Sequence, residues 1–318
     1  MNYKVSGDDL AFVADAIRNK GGTSLSLSFP DGFVGALGDI STGVDPVYAI
    51  CAMKDAISVV SGSAPYVNDY ALYCAQVQAV DLPQCSTIGA YAFYSCGNLT
   101  SVSLLACTAV GGNAFYKCVS LTTISLPACT TIGSNAFYSC GNLTSVSLPA
   151  CTAVGGNAFA SCASLTSISL PICTTISSNA FYKCVSLTTI SLPACTTIGS
   201  NAFSSCGNLT SVSLPACTTI GSNAFVRCSS LTSISLPACT TIGSYAFQVC
   251  TRLVSLDLTG VSVVPSLAND AFLSTPIGGY SAVAGQYGSI FVPESLYDAF
   301  LSTTNWSLHS SRIVAVAA

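Results

Sequence analysis

Hydrophobic and polar residues in the middle of the chain follow one pattern that returns every 22 residues. The unit that begins at Leu126 has the sequence LPACTTIGSNAFYSCGNLTSVS, and the unit at Leu192 has LPACTTIGSNAFSSCGNLTSVS. Eight such units run from Leu82 to Asp257 without an insertion. A fixed period of this length predicts a repeat architecture in which each unit is one structural module.

Each unit is predicted to contain one short strand. Leu99, Val102 and Leu104 are separated by polar residues, and the end of this segment alternates with the period of two that is typical of strands. Val102 and Leu104 then face inward, whereas Ser101 and Ser103 face outward. A proline follows the strand in seven of the eight units. It ends the strand pairing because it has no N–H to donate.

The rest of the unit returns the chain to the next strand. In the segment IGSNAF, we expect Gly133 to take a turn conformation, with Ile132 and Phe137 facing the core. One unit is too small to bury its own apolar face, so the units must stack as the coils of a solenoid. Successive strands then lie about 4.8 Å apart in one parallel sheet. On that spacing, eight or nine coils extend about 40 Å.

These residues match a known pattern. The motif L-x-x-I-x-L-P, followed by I-x-x-x-A-F-x-x-C-x-x-L, resembles the BspA-like class of bacterial leucine-rich repeats, over about residues 70–260. The resemblance implies an α/β-type repeat solenoid with 22-residue coils and one parallel sheet, used in adhesion or partner binding and not in catalysis. One cysteine column departs from the family pattern, where Leu or Val is expected, and indicates a core packed with thiols.

The flanks are predicted to cap both ends of the solenoid, because its end coils would otherwise be open. We expect an N-terminal region with a helix and cap at 1–69, a solenoid of one degenerate and eight regular repeats at 70–257, and a repeat-like cap at 258–318. A capping-box signal precedes an apolar stripe at Leu10–Ile17, which predicts the N-terminal helix. Trp306 is predicted to anchor the core of the C-terminal cap.

Two flanking segments also show resemblances. Residues 14–37 resemble an N-terminal module of tail proteins from bacteriophages that infect Gram-positive gut bacteria. Residues 288–307 resemble the closing segment of BspA-like proteins, which implies a strand that ends at Pro293 and a short helix from Ser295 or Leu296. Residues 1–22 lack the apolar core of a secretory signal, which agrees with a virion protein made in the bacterial cytoplasm.

Composition excludes several classes of protein. Only 7% of the residues are charged and 51% are hydrophobic, yet no apolar run approaches the ~20 residues that span a bilayer. We therefore predict no membrane insertion. The units between Leu82 and Asp257 carry four basic residues, which are Lys117, Lys183, Arg227 and Arg252. We regard these cations as scattered and too few for the basic stripe that binds nucleic acid.

Sixteen of the 18 cysteines occupy two columns of the repeat. The columns are Cys85, Cys107, Cys129, Cys151, Cys173, Cys195, Cys217 and Cys239, and Cys96, Cys118, Cys140, Cys162, Cys184, Cys206, Cys228 and Cys250. Cys74 is predicted to continue the second column one unit earlier, and Cys51 lies outside. The chain length and the missing signal favour reduced thiols that pack as small hydrophobes. Disulfides along a column stay open as an alternative, and a metal cluster is disfavoured because the thiols form a line.

No catalytic constellation is evident. His309 is the single histidine, so any Ser-His-Asp or Cys-His system would have to use it, and it lies in the predicted C-terminal cap. The units hold no carboxylate before Asp257, and the chain has no phosphate-binding glycine-rich motif. We predict a protein that is not an enzyme, with no catalytic residues, no cofactor and no metal.

The outward strand positions form two columns of hydroxyl groups, which we call the serine face. Its residues are Ser101, Ser103, Thr123, Ser125, Ser145, Ser147, Ser167, Ser169, Thr189, Ser191, Ser211, Ser213, Ser233 and Ser235. Hydroxyls both donate and accept hydrogen bonds, so this face suits a glycan, a polar protein surface or ordered water. The alternative is that repeat copying multiplied small residues that merely solvate the sheet. Tyr94, Tyr116, Tyr138 and Tyr182 lie on a different side and are predicted to form a partial aromatic row.

Three functional hypotheses follow. The first is a non-enzymatic scaffold that serves as a phage tail or receptor-binding component and meets protein or glycan on a bacterial cell. The second is a BspA-like adhesin or host-protein-binding module at the bacterial cell surface. The third is ice or crystal-surface binding, which the Ser-rich ladder supports poorly because it lacks the Thr methyl groups. The ligand stays open, as does homo-oligomer formation.

Overall fold

The repeats form the solenoid that the sequence predicts. The structure, a computed structural model, describes residues 3–6, 57–279 and 287–317. Each 22-residue coil contributes a three-residue strand and a two-residue strand, and hydrogen-bonded turns connect them. Backbone N–H groups at many points of a coil donate to carbonyls of a neighbouring coil, such as Thr130 to Thr108 and Phe137 to Ala158. The leucine-rich repeat solenoid with 22-residue coils is thereby confirmed.

The predicted strand occurs in every regular coil, and we call these strands the serine ladder. In the described part of the chain they are Ala79–Asp81, Ser101–Ser103, Thr123–Ser125, Ser145–Ser147, Ser167–Ser169, Thr189–Ser191, Ser211–Ser213, Ser233–Ser235 and Ser255–Asp257. All pairs are parallel and in register, so Val146 lies between Ile124 and Ile168. Strand hydrogen bonding is interrupted after Ser103 and again after Ser169, which divides the ladder into three sheets.

Further strands extend the serine ladder at both ends. Tyr3–Ser6 and Ile57–Ser61 precede Ala79–Asp81, and Ser289–Pro293 and Ile313–Val316 follow Ser255–Asp257. Every one of these pairings is parallel. The chain ends therefore continue the sheet of the repeats.

A second ladder accompanies the first, and the sequence analysis did not predict it. Its two-residue strands form one continuous parallel sheet of ten strands. They are Tyr66–Val67, Thr87–Ile88, Ala109–Val110, Thr131–Ile132, Ala153–Val154, Thr175–Ile176, Thr197–Ile198, Thr219–Ile220, Thr241–Ile242 and Ser266–Leu267. We call it the short ladder. The predicted parallel sheet is thus one of two that run along the solenoid.

The turns depend on residues with left-handed backbone. Asn135 has φ 57° and Ser139 has φ 56°, and the corresponding residues of the other coils have similar values. Asparagine tolerates this conformation better than most residues, which explains its place in the unit. Gly133 begins a hydrogen-bonded turn, since its carbonyl accepts from the Ala136 N–H, but its φ is not positive, so left-handed backbone does not explain this glycine. A Cβ at Gly133 would lie 2.6 Å from the Gly112 nitrogen, so the glycine permits close approach of coils.

A stack of phenylalanine rings fills the core. Nine rings from Phe93 to Phe272 follow one another, with centroids 5.1 to 5.7 Å apart. Trp306 continues the stack with its centroid 6.1 Å from that of Phe272, and its indole N–H donates to the Pro265 carbonyl. Trp306 is fully buried. The prediction that Trp306 packs in a core is confirmed, whereas the role of this segment as a cap stays a prediction.

The C-terminal segment consists of short elements. After Ser289–Pro293 come a 3-10 helix at Glu294–Leu296, an α-helix at Tyr297–Ser302 and a 3-10 helix at Ser307–Arg312. The predicted strand end at Pro293 is confirmed, and the helix begins as a 3-10 turn. The helix predicted at Leu10–Ile17 lies outside the described residues. Among the described helices, none has the length and apolar content to cross a membrane.

Candidate functional site

The serine face presents a regular lattice of hydroxyl groups. Residues between its two columns, such as Val146 and Ile168, are buried apart from the half-buried Val102, whereas the serines and threonines are exposed or half-buried. Ser145 pairs with Ser167, and Ser147 pairs with Ser169, so hydroxyls repeat every ~4.8 Å along the solenoid. The two columns lie about 6.6 Å apart along the strand.

Few of these hydroxyls are used inside the protein. Ser235 donates to the Asp257 carboxylate at 2.8 Å. Among the described residues, the other thirteen side chains of the face make no hydrogen bond to protein groups. An exposed hydroxyl without a protein partner exchanges hydrogen bonds with water, so a ligand can take the place of that water. The lattice can therefore bind a polar surface without rearrangement.

Carboxylates border the lattice at both ends. Asp81 pairs with Ser103 at one end, and Asp257 pairs with Ser235 at the other. Partial burial raises the pKa of Asp257, but hydrogen bonds from Thr259 and Ser235 outweigh that effect and leave the pKa below its ordinary value. Between these two residues the sequence contains no Asp or Glu. The centre of the serine face is therefore uncharged.

A second set of hydroxyls, which we call the threonine rungs, has a structural role that the sequence analysis missed. Each Thr Oγ1 donates to the backbone carbonyl of the residue 22 positions earlier, at 3.0 to 3.3 Å. The rungs are Thr108, Thr130, Thr152, Thr174, Thr196, Thr218 and Thr240. The available signal was the threonine after the first cysteine in seven of the eight units; in the first unit Ser86 stands there and donates to the Pro65 carbonyl.

Both cysteine columns are buried and donate weak hydrogen bonds to carbonyls. Cys118 Sγ lies 3.1 Å from the Phe93 oxygen of an earlier coil, and Cys129 Sγ lies 3.2 Å from the Thr131 oxygen of its own coil. Burial raises the pKa of Cys140 to about 12 and that of Cys129 to about 11. A thiol that resists ionisation is a poor nucleophile and metal ligand. Cysteines Cys74 to Cys250 are present as thiols.

Cys74 does not continue the second column, and that prediction is wrong. Its backbone N–H donates to the Tyr94 carbonyl, which corresponds to the bond of Ser95 one coil later. Cys74 also shares the left-handed backbone of Ser95, with φ 58° against 55°. Ala75 takes the position that the thiols occupy in later coils. The first coil is therefore one residue shorter than the repeat.

His309 lies against the core of the C-terminal cap. Its ring meets the edge of Phe272 with centroids 5.5 Å apart, and burial lowers its pKa. In residues 57–279 and 287–317, no three His, Cys, Asp or Glu side chains form a group that could hold a metal ion. The described surface thus offers hydrogen-bonding faces, and its His, Cys, Asp and Glu side chains are not gathered into a metal site.

Comparisons with known proteins agree with this architecture. The model of the BspA type leucine rich repeat region matches residues 65–175 and 174–279. A leucine-rich repeat protein of T. pallidum is 28% identical over 52% of this chain and 71% of its own, with TM-score 0.39. A leucine rich cell surface protein of Faecalibacterium prausnitzii A2-165 is 20% identical over 84% of this chain and 85% of its own, with TM-score 0.37.

A leucine-rich repeat protein of Bacteroides ovatus ATCC 8483 is 17% identical over 82% of this chain and 88% of its own, with TM-score 0.35. No curated protein matches the chain at a significant level. The family match does not include residues 14–37, which carry the resemblance to phage tail proteins. Because the match covers most of the chain, this protein belongs to the BspA-type family of leucine-rich repeat proteins.

Proposed function

We propose that the protein is a non-enzymatic binding module of the adhesin type at a bacterial cell surface, and that its serine face contacts the partner. The observation that carries this proposal is the uncharged lattice of exposed hydroxyls between Asp81 and Asp257. Such a lattice gains little for stability, since its hydroxyls lack protein partners. Its chemistry suits the polar surface of a host or bacterial protein more than a glycan, because the face has no aromatic platform.

The cell-surface hypothesis is preferred to the phage-tail hypothesis. The name of the F. prausnitzii relative calls that protein a cell surface protein. The phage hypothesis depends on residues 14–37, which lie outside both the described residues and the family match. The division at residues 69 and 257 and the formation of homo-oligomers stay predictions.

Charge substitutions on the serine face test the proposal. Arginine at Ser147 and Ser169 places two cations and two long side chains in the centre of the lattice. Arginine at Thr131 and Thr241, which are exposed on the short ladder, is the matched control. We expect the S147R/S169R protein to lose binding to host epithelial or bacterial cells in flow cytometry, and the control to bind like the original. Equal binding by both variants would overturn the proposal.

The genomic context separates the two cellular settings. Neighbouring genes for secretion or sortase anchoring support the surface adhesin. A run of phage tail genes around the coding sequence would refute the cell-surface assignment and favour a virion component, whatever the result of the binding experiment.

A further inference from the structure

Three of the four cations of the repeats lie in one column, which corrects the prediction that they are scattered. Lys117, Lys183 and Arg227 share left-handed backbone, with φ 56°, 58° and 62°. Each donates its backbone N–H to the next coil in the same way, and all three side chains are exposed. The common backbone geometry places the three side chains on one side of the solenoid.

Tyrosines occupy the column directly before these cations. The rings of Tyr73, Tyr94, Tyr116 and Tyr138 stack in parallel, with centroids 4.6 to 4.9 Å apart. The predicted aromatic row is confirmed for these rings, and Tyr182 follows after an interruption at Ala160. Because the stacked rings cover one another's faces, the half-buried side chains present ring edges and phenol groups.

The cations and the tyrosines contact each other. The Lys117 ammonium lies 5.5 Å from the ring centroid of Tyr116, and the Lys183 ammonium lies 5.2 Å from that of Tyr182. Because Tyr116 is stacked on both sides, Lys117 contacts the rim of that ring, whereas Lys183 lies over Tyr182, which is not part of the stack. In both places the ammonium keeps donors available to a ligand. We call this surface the tyrosine–cation face. It comprises Tyr73, Tyr94, Tyr116, Tyr138, Tyr182, Lys117, Lys183 and Arg227.

The charge of this face selects an anionic partner. No Asp or Glu occurs between residues 82 and 256, so the coils that carry these cations have no acid of their own. Asp69 lies in the coil of Tyr73 at one end of the row, and Asp270 lies in the coil beyond the other end. A positive surface with little neighbouring negative charge attracts anions and repels cations.

The spacing of the cations indicates which anion fits. Lys117 and Lys183 are three coils apart, and Lys183 and Arg227 are two coils apart, which corresponds to about 14 Å and about 10 Å. Nucleic acid carries a charge every ~3.4 Å along each strand, which is far denser. An acidic polysaccharide with one carboxylate on every second sugar has a lower charge density. Its sugar hydroxyls can also exchange hydrogen bonds with a row of phenols.

We propose that the tyrosine–cation face binds an extended acidic polysaccharide whose chain runs along the axis of the solenoid. The carboxylates pair with Lys117, Lys183 and Arg227, and the sugars between them contact the tyrosine hydroxyls and ring edges. The chain direction follows from the single column of cations, because a ligand that crossed the coils would meet one of them. This site is separate from the serine face and does not depend on the function proposed for it.

Titration calorimetry with hyaluronan oligosaccharides tests this proposal, since these alternate a carboxylate sugar with a neutral sugar. We expect binding that weakens as salt is raised from low to physiological concentration. Alanine at Lys117, Lys183 and Arg227 should weaken it about tenfold, as three exposed charge contacts together. The charge-conserving variant K117R/K183R/R227K is the matched control and should bind like the original. Circular dichroism establishes that both variants are folded.

Three results would overturn the proposal. Equal affinity for neutral dextran would show that charge does not select the ligand. Tighter binding of single-stranded poly(dT) than of hyaluronan would assign the face to nucleic acid. Unchanged hyaluronan affinity in the folded triple alanine variant would place the binding elsewhere. Tyr138→Ala, at the end of the stack, adds a fourth readout, since weaker binding with the salt dependence unchanged assigns the tyrosines to the sugars.

Discussion

The two ladders belong to the same coils and carry similar hydroxyl-rich residues, but their polar groups have different partners. Threonines that directly precede the strands donate to carbonyls of the neighbouring coil beside both ladders, as Thr130 does beside the short ladder and Thr144 beside the serine ladder. The short ladder has two further contacts, since Cys129 donates to Thr131 and Gly133 lets the backbones approach. On the serine face, thirteen of the fourteen hydroxyls have no protein partner among the described residues. The short ladder is continuous, whereas the serine ladder is interrupted twice.

This difference separates stability from binding. Side chains that satisfy backbone carbonyls or fill the space between coils hold the stack together. Side chains that meet only water contribute little to folding and can be selected for what they contact. We therefore expect substitutions near the short ladder to change stability, and substitutions on the serine ladder to change binding.

The largest expected effect is unfolding at alkaline pH. Burial raises the pKa of Cys129 to about 11 and that of Cys140 to about 12, from an ordinary value of 9.0. Unfolded thiols ionise near the ordinary value, so their stabilisation is complete below pH 9 and is lost as the pH rises through the folded values. Urea unfolding at a series of pH values should show a steep fall in the free energy of unfolding.

The absorbance of thiolate provides the control for this experiment, because it distinguishes cysteine ionisation from that of tyrosine. The thiolate signal should appear together with unfolding and not before it. A free energy of unfolding that is the same at about pH 8 and about pH 10.5 would contradict the buried-thiol interpretation.

A methyl group on the glycine column should have the next largest effect. A Cβ at Gly155 would lie 2.7 Å from backbone atoms of the preceding coil, whereas a Cβ at Gly141 would meet nothing within 4 Å. Gly155→Ala should therefore lower the free energy of unfolding by about 1–3 kcal/mol, and Gly141→Ala should change it little. Chemical denaturation of the two variants makes the comparison, and equal midpoints would refute the close-approach role.

Among the eight regular units, one member of this column is not glycine. Ser177 stands there, and its nitrogen lies 3.1 Å from the Val154 oxygen, compared with 2.8 Å for Gly133 and Val110. In the coil after the regular units the corresponding residue is Ala268, whose nitrogen lies 2.9 Å from the Ile242 oxygen.

The threonine rungs should contribute less. Replacing Thr152 with valine keeps its shape but removes the bond from Oγ1 to the Thr130 carbonyl, which is 3.2 Å long. We expect a loss of about 0.5–1.5 kcal/mol, near the lower end because the group is exposed. Thr175→Val, at an outward position of the short ladder, is the matched control. A rung variant as stable as this control would show that the bond contributes nothing.

The smallest effect on stability is expected on the serine face. Ser147→Ala and Ser169→Ala should each change the free energy of unfolding by less than about 0.5 kcal/mol, because these residues are exposed and lack protein partners. The same substitutions should weaken partner binding in cell-binding assays. Substantial destabilisation with intact binding would reverse the roles assigned to the two ladders.

The sequence predicted what depends on periodicity. The 22-residue period, the alternation of Val102 with its neighbouring serines and the proline that follows the strand in seven of the eight units were sufficient for the coil and the outward face. The buried position of Trp306 could be inferred because a single large aromatic side chain in a short terminal segment has few favourable positions outside its core.

Features that depend on contacts between coils could not be derived from one unit. The short ladder consists of two-residue strands, which are too brief for an alternation to be visible. The role of Gly133 follows from the distance to a neighbouring backbone, which a single unit does not reveal. A glycine in a turn segment is more readily explained by a positive φ. Cys74 is displaced from the second cysteine column because the first coil is one residue shorter than the repeat. The cation column appeared scattered because its members stand on different coils.

The aromatic residues make the two ends of the solenoid spectroscopically distinguishable. Trp306 closes the phenylalanine stack at the C-terminal end, whereas the stacked tyrosines lie in the first coils. Since the chain has one tryptophan, indole fluorescence reports the last coil, and tyrosine circular dichroism reports the first. In a stack where each coil contacts only its neighbours, fraying from one end changes one signal before the other. The order of the two transitions during slow denaturation therefore records from which end the array comes apart.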